Sequence, residues 1–494
     1  MILCNLSCNT ATTQKISRPN IVVLYIDDLG WKDLGCTGSK YYETPHIDKM
    51  AAEGMSFTQA YAGSPVCSPS RAALFSGQYS ARNKMTEGPE PTSNADILKA
   101  KLDFAGKNLD ALPTRSPARR LCLHPDQITF AEVLQQAGYK TGYLGKWHCG
   151  WDEPFWPDKQ GFEMAEGFRS VPAGTRGHWG RDYIPYLKKK PMRGLTEDEY
   201  MADALTQRAV EFIEENSREP FLLVLSHYLV HTPLQGKGEK VAKWKKKATT
   251  DQDNPVMAAM IESVDESVGR VMATLKRLGI DDNTVIIFTS DNGGHHRTTS
   301  TYPLMGSKAM PYEGGHRVPM IVRWPGKIDQ SIENSTPTVQ VDLYPTILDL
   351  TQTPPHPDQH LDGISLEKVL FENDIMGQRP IFFHFPHYSG VGCTPYSAVR
   401  YGDWKLYRYY NDGKGRYQLF NLKNDPYEQH DVAAKRAEKL KAMEQILTGW
   451  LAETDGPLPF ANPEYRENID GGFDGMDTYE KSLKIRMKRQ AKLK

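Results

Sequence analysis

The chain has 494 residues, 39% of them hydrophobic and 10% aromatic, enough for one large domain with a smaller one beside it. Its 60 Lys and Arg residues nearly cancel its 61 Asp and Glu residues, which excludes a global field for nucleic acid or an anionic membrane, so any anion site must be local. No apolar run approaches the roughly 20 residues that span a bilayer, and the seven cysteines at 4, 8, 36, 67, 122, 149 and 393 show no C-x-x-C or paired spacing, leaving neither a zinc site nor a disulfide framework.

Met1 to Thr13 are rich in Cys, Asn and Thr and lack the basic and apolar stretches of a signal peptide. The run Asn20 to Ile26 is continuously apolar and rich in branched residues, the pattern of a strand buried on both faces; it ends in Asp27 and Asp28. Pro69, just ahead of Ala72-Ala73-Leu74-Phe75, suits a helix start. Helices are predicted near 129–137, 197–216 and 255–278, the last with Met257, Ile261, Val264, Val268 and Leu275 at helical spacing. Two more buried strands, Pro220 to Leu225 and Thr284 to Thr289, end in Ser226-His227 and in Ser290-Asp291-Asn292. Polar residues therefore follow three apolar strands, where open α/β sheets bind ligands.

After about residue 375 the texture changes. Tyr396 to Arg400, Trp404 to Tyr407 and Tyr417 to Phe420 read as antiparallel strands, the first two joined by a turn at Tyr401-Gly402-Asp403, and a helix follows near 433–452. The predicted fold is α/β: a large mixed, mainly parallel sheet sandwiched by helices over 18–374, a small C-terminal antiparallel-sheet subdomain over 375–460, and a charged tail over 461–494.

Cys67 lies in Cys67-Ser68-Pro69-Ser70-Arg71. By itself a free cysteine is most often a small buried apolar residue. Here, a helix start beside it would welcome an anion, and Arg71 one turn on carries a planar fork of donors. Asp27-Asp28 and Asp291-Asn292 form an all-oxygen set, which suits calcium or magnesium rather than zinc; the alternative for paired aspartates is a turn or cap.

The run from Cys67 to Gly77 resembles the signature of the formylglycine-dependent (type I) sulfatases of the alkaline phosphatase superfamily, and Gly138 to His148 resembles that family's second signature. The similarity extends over about residues 18–455, including Leu419-Phe420-Asn421-Leu422 and Asp425-Pro426-Tyr427-Glu428. It implies that a formylglycine-generating or sulfatase-maturating enzyme oxidises Cys67 to formylglycine, whose hydrated aldehyde takes sulfate from an ester. It further implies one calcium ion held by Asp27, Asp28, Asp291, Asn292 and residue 67. Lys146 would pair with the sulfate, and His148 would contact the formylglycine and take the proton whose loss expels sulfate. His231, in His231-Thr232-Pro233, would help protonate the departing oxygen, with His227 a competing candidate. Lys308 would steady the ester oxygen, and Ala309 stands where the family frequently has glycine. The family's usual setting makes a periplasmic or extracellular location the expectation.

Two other readings are open: a phosphodiesterase or phosphonate monoester hydrolase of the same superfamily, and a catalytically dead glycan-binding relative. The stretch between Arg82 and Pro125 and the patch Arg176-Gly177-His178-Trp179-Gly180-Arg181 look like insertions that wall a pocket. His178, Arg181, His295, His296 and Arg297 offer donors, and the aromatic faces suit a sugar. The expected substrate is a sulfated saccharide.

Overall fold

The computed structural model describes residues 18–88, 109–168, 177–183, 187, 191–389, 393–410 and 416–466, with Lys484, Met487, Lys488 and Ala491. Met1 to Thr13, Arg176, much of the 82–125 stretch and most of the charged tail lie outside them. Strands β1 (Asn20–Ile26), β2 (Met55–Phe57), β3 (Lys140–Gly145), β4 (Met164–Glu166), β5 (Phe221–Ser226), β6 (Thr284–Ser290), β7 (Met320–Arg323) and β8 (Ile332–Asn334) form one sheet in the order β8-β2-β7-β6-β1-β5-β3-β4. Only β7 runs against the rest. Every residue of β1, β5 and β6 is buried, as their unbroken apolar runs require of central strands.

Register gathers the strand ends at one edge. Ile26 is opposite Ser290, Tyr25 is opposite Ser226, and Ser226 is also opposite Gly145. Asp27, Asp291, His227 and Lys146 therefore leave the sheet at nearly one level, although they come from four distant parts of the chain.

Alternate residues of β1 serve two cores. Val22, Leu24 and Ile26 pack with residues of α1 (Pro45–Ala52), α4 (Met201–Glu215) and α5 (Pro255–Leu278); Ile21, Val23 and Tyr25 pack with α2 (Cys67–Ser76), α3 (Phe130–Gln136) and α6 (Leu343–Leu350). Thr129 closes a capping box with Glu132 and so fixes the start of α3. Helix α4 starts at Met201 rather than near 197, because Tyr200 is drawn into a bridge with Trp179. Among the described residues, no helix is long and apolar enough to cross a membrane.

The C-terminal part is an antiparallel sheet of β9 (Pro380–Phe385), β10 (Tyr396–Tyr401), β11 (Trp404–Tyr409) and β12 (Arg416–Asn421), in that order. β9 was not predicted; it opens on a proline and lies at the edge, where a missing backbone N–H is tolerated. The predicted turn pairs Tyr401 with Trp404 across Gly402, whose φ of 60° favours glycine. Met443, Leu447 and Trp450 of α7 (Ala437–Glu453) join a third core that also takes Tyr61, Ala73 and Tyr312 from the larger unit. The small sheet is thus packed onto the loops around α2.

Candidate active site

Cys67 is the first residue of α2 and is 5% exposed. Its Sγ lies 3.4 Å from Asp27 Oδ1 and 3.8 Å from Asp28 Oδ1. Asp28 takes a left-handed backbone, φ 63°, which aspartate tolerates better than most residues. Its N–H donates to Asp291 Oδ1 at 3.1 Å, and Asn292 Nδ2 donates to its Oδ1 at 2.9 Å. The ends of β1 and β6 are thereby laced together.

Two buried cations, Lys146 and Arg71, and the half-buried Lys308 face these three carboxylates. Lys146 Nζ is 2.6 Å from Asp27 Oδ2, and Lys308 Nζ is 2.6 Å from Asp28 Oδ1. Arg71 donates from Nε and Nη2 to Asp291 Oδ2 at 3.0 and 2.7 Å, and from Nη1 to Lys146 O and Ser226 Oγ, both at 2.7 Å. Those bonds use four of the five N–H groups of a guanidinium. Arg71 is therefore committed to Asp291, Lys146 O and Ser226, and its side chain is fully buried. The Lys308 loop reaches the site through close backbone packing: a Cβ on Gly293 would lie 2.0 Å from Gly314 O.

Burial opposes charge on Asp27, yet Lys146, His231, Arg71 and Lys308 hold its carboxyl well below the usual range. Asp28 is lowered by Lys308 and His231 against burial and its neighbour Asp27. Asp291 goes the other way, to about 6, because burial and Asp27 outweigh Arg71. Burial first, then Asp291, raises the Cys67 thiol, so it is no ready thiolate.

His231 Nε2 is 3.7 Å from Asp28 Oδ2, and its Nδ1 is 2.6 Å from Thr232 O. A carbonyl only accepts, so the ring hydrogen sits on Nδ1 and Nε2 faces the carboxylates. Burial, then Lys308, lowers this histidine to about 4. The competing candidate His227 is directed away from the site: its Nε2 contacts Ser267 Oγ of α5 at 2.9 Å. His148 follows Lys146 by two residues, half-buried, with φ 59°.

The proposed substrate residues divide. His178 is buried, and its Nε2 lies 2.9 Å from His231 O. Arg181 is exposed over the Trp179 ring, on a groove of about 580 Å³ shared with Leu234, Gln235 and Lys245. The His295 and His296 rings stack at 4.9 Å, His296 Nδ1 lies 3.1 Å from Ser307 Oγ beside Lys308, and Arg297 is exposed.

Two positioning residues escaped the sequence reading. Ser226 joins Arg71 to Lys146 O; its place at a strand end was the available signal. Gln340 accepts from Ser70 Oγ at 2.5 Å and donates to Ser290 O at 2.6 Å, tying the neighbours of Arg71 and Asp291 together. Nothing local marks Gln340.

The donor set fits a cation. Ligand atoms of Asp27, Asp28, Cys67 and His231 all lie within 4.8 Å of one another. Asn292 Oδ1 is buried without a hydrogen-bond partner among the described residues, a position that a hard cation would satisfy.

The family model described as "Sulfatase" matches residues 19–353, and one described as "N-sulphoglucosamine sulphohydrolase, C-terminal" matches 305–453. The chain is 31% identical to a sulfatase of Formosa agariphila, covering 89% of this chain and 90% of that one. It is 31% identical to the N-acetylgalactosamine-6-sulfatase of Mus musculus over 74% of this chain and 68% of that one. A solved structure, Ps i-CgsB in complex with k-i-k-neocarrahexaose, superposes with a TM-score of 0.73 at 28% identity, covering 96% of this chain and 99% of that one.

Proposed function

Because the chain belongs to the sulfatase family and is a sulfuric ester hydrolase, we propose that it cleaves a sulfate ester of a carbohydrate, with residue 67 as nucleophile and one calcium ion held by Asp27, Asp28, Asp291 and Asn292. The observation that carries this reading is the seating of Cys67 at the start of α2, 3.4 Å from Asp27, inside a ring of three carboxylates and three cations. The carbohydrate class is supported by the relatives named N-acetylgalactosamine-6-sulfatase and by the neocarrahexaose complex. Converted to formylglycine, residue 67 would offer an aldehyde whose hydrate is a nucleophile, which the raised thiol of Cys67 is not. Calcium would supply the positive charge that polarises the sulfate and the residue 67 oxygen.

The chain's own groups supply the rest. A divalent cation competing for Asp27 and Asp28 would free the Lys146 and Lys308 ammonium groups to bind sulfate oxygens. His148, on the Lys146 loop, takes the proton from residue 67. His231 presents Nε2 to the leaving oxygen; the negative charge of a bound ester favours its protonation there. His295 and the Trp179–Arg181 surface would meet sugar hydroxyls or further anionic groups. An exported location rests on the family's habit.

Mass spectrometry of the Cys67 peptide tests the nucleophile, with aldehyde expected and unmodified thiol in an active preparation counting against it. Matched sulfate and phosphate esters separate this reading from a phosphodiesterase or phosphonate hydrolase. A panel of defined sulfated saccharides identifies the sugar.

A further inference from the structure

The His231 loop is gripped from outside the active site. After β5 the chain runs through His231 to Gln235, and the segment around His178 lies against it. His178 Nε2 lies 2.9 Å from His231 O, and the His178 N–H donates to Gln235 Oε1 at 2.9 Å. Tyr200 OH donates to Gln235 O at 2.7 Å, and the N–H of Met201, where α4 begins, donates to His178 O at 2.8 Å. A peptide oxygen only accepts, so His178 Nε2 carries the hydrogen and its tautomer is set.

His178 is 3% exposed and has little surface to offer a substrate, which departs from the sugar-binding role that the sequence suggested. The His231 side chain, at 18%, stands at the rim, and its ring bonds locally to Thr232 O. Its aim therefore depends on where the loop backbone is held. Displacements of an ångström in a reacting group cost large factors in rate.

We propose that His178 is a positioning residue: it fixes the loop carbonyl from which His231 extends, and so sets the reach of His231 Nε2 toward the leaving oxygen. The inference rests on the sulfatase reading and on the role given there to His231.

The test uses the matured full-length enzyme with phenyl sulfate, whose phenolate gains from a proton, and 4-nitrophenyl sulfate, whose leaving group departs unaided. His178→Ala should lower kcat on phenyl sulfate by up to about 100-fold, the scale of an ångström's misplacement of a reacting group, with KM unchanged and a smaller loss on 4-nitrophenyl sulfate. His178→Gln places an amide N–H where Nε2–H was and should recover most of that rate; it also guards against misfolding of the alanine variant. Adding His178→Ala to His231→Ala should cost nothing further, because both changes remove one function. A raised KM at constant kcat would instead make His178 a substrate contact, and multiplicative losses in the double variant would overturn positioning. Equal losses for His231→Ala on both esters would sink the acid role of His231; the double variant would still report whether the two residues are coupled, so the two failures remain distinct.

Discussion

Arg71 directs two N–H groups at a single oxygen of Asp291, at 3.0 and 2.7 Å, and neither side chain is exposed. Breaking a buried pair from one side typically costs about 3–5 kcal/mol, because the remaining charge is stranded. Arg71→Ala should lose stability in that range by chemical denaturation. Arg71→Lys keeps the charge but cannot reach Asp291, Lys146 O and Ser226 Oγ together, so it should recover part of the stability and little activity. Parent kcat/KM in the lysine variant would refute the clamp.

Cys67→Ala should fold and be inactive. Cys67→Ser should also be nearly inactive, since one hydroxyl cannot do what a hydrated aldehyde does. Turnover by the serine variant at the parent rate would exclude the formylglycine route.

Asp28→Asn should cost activity and calcium together, measured by kcat and by elemental analysis of the purified protein. Chelation of the parent should lower its melting temperature, as loss of a native-state ligand must. If Cys67 keeps its sulfur, the cluster with His231 offers a mixed S, N and O set that zinc also accepts. Stoichiometric zinc without calcium in active protein would overturn the assignment.

Ala309, beside Lys308, has φ 59°, the backbone that glycine prefers. Its buried methyl and stiffer unfolded chain offset the strain, so Ala309→Gly should stay within about 1 kcal/mol of the parent. Ala309→Val, β-branched at positive φ, should cost about 1–3 kcal/mol and disturb Lys308. Equal melting temperatures for parent and valine variant would contradict the backbone assignment.

A buried network joins the small sheet to the loop beyond Lys308. Lys405 Nζ is 2.7 Å from Glu313 Oε1, and the Glu313 N–H donates to Glu428 Oε2 at 2.7 Å. Burial, reinforced by Glu313 and opposed by Lys405, pushes Glu428 up to about 7. A carboxyl raised on folding contributes stability that is complete below its unfolded pKa, about 4.3, and lost as pH rises to about 7. Glu428→Gln should remove that part of the slope and be relatively more stable above pH 7. Parallel stability profiles for parent and variant from pH 4 to 8 would show that Glu428 does not titrate there.

Local order along the chain determined which chemistry was available: apolar strands ending in Asp27-Asp28 and Asp291-Asn292, Cys67 at a helix start, Lys146 and His148 in one short motif. These were legible because hydrophobic period, caps and motif spacing are properties of neighbouring residues. Tertiary structure alone decided which groups meet. Ile26 lies beside Ser290 across the sheet, and that register brings Asp28 to Asp291. The choice between His227 and His231 depended on Ser267 in α5, which takes the first out of the site. His178 looked like a sugar contact until its burial against His231 was known, and Gln340 had no local mark. Pairing between distant segments is set by the packing of whole faces, which a single chain read in order does not display.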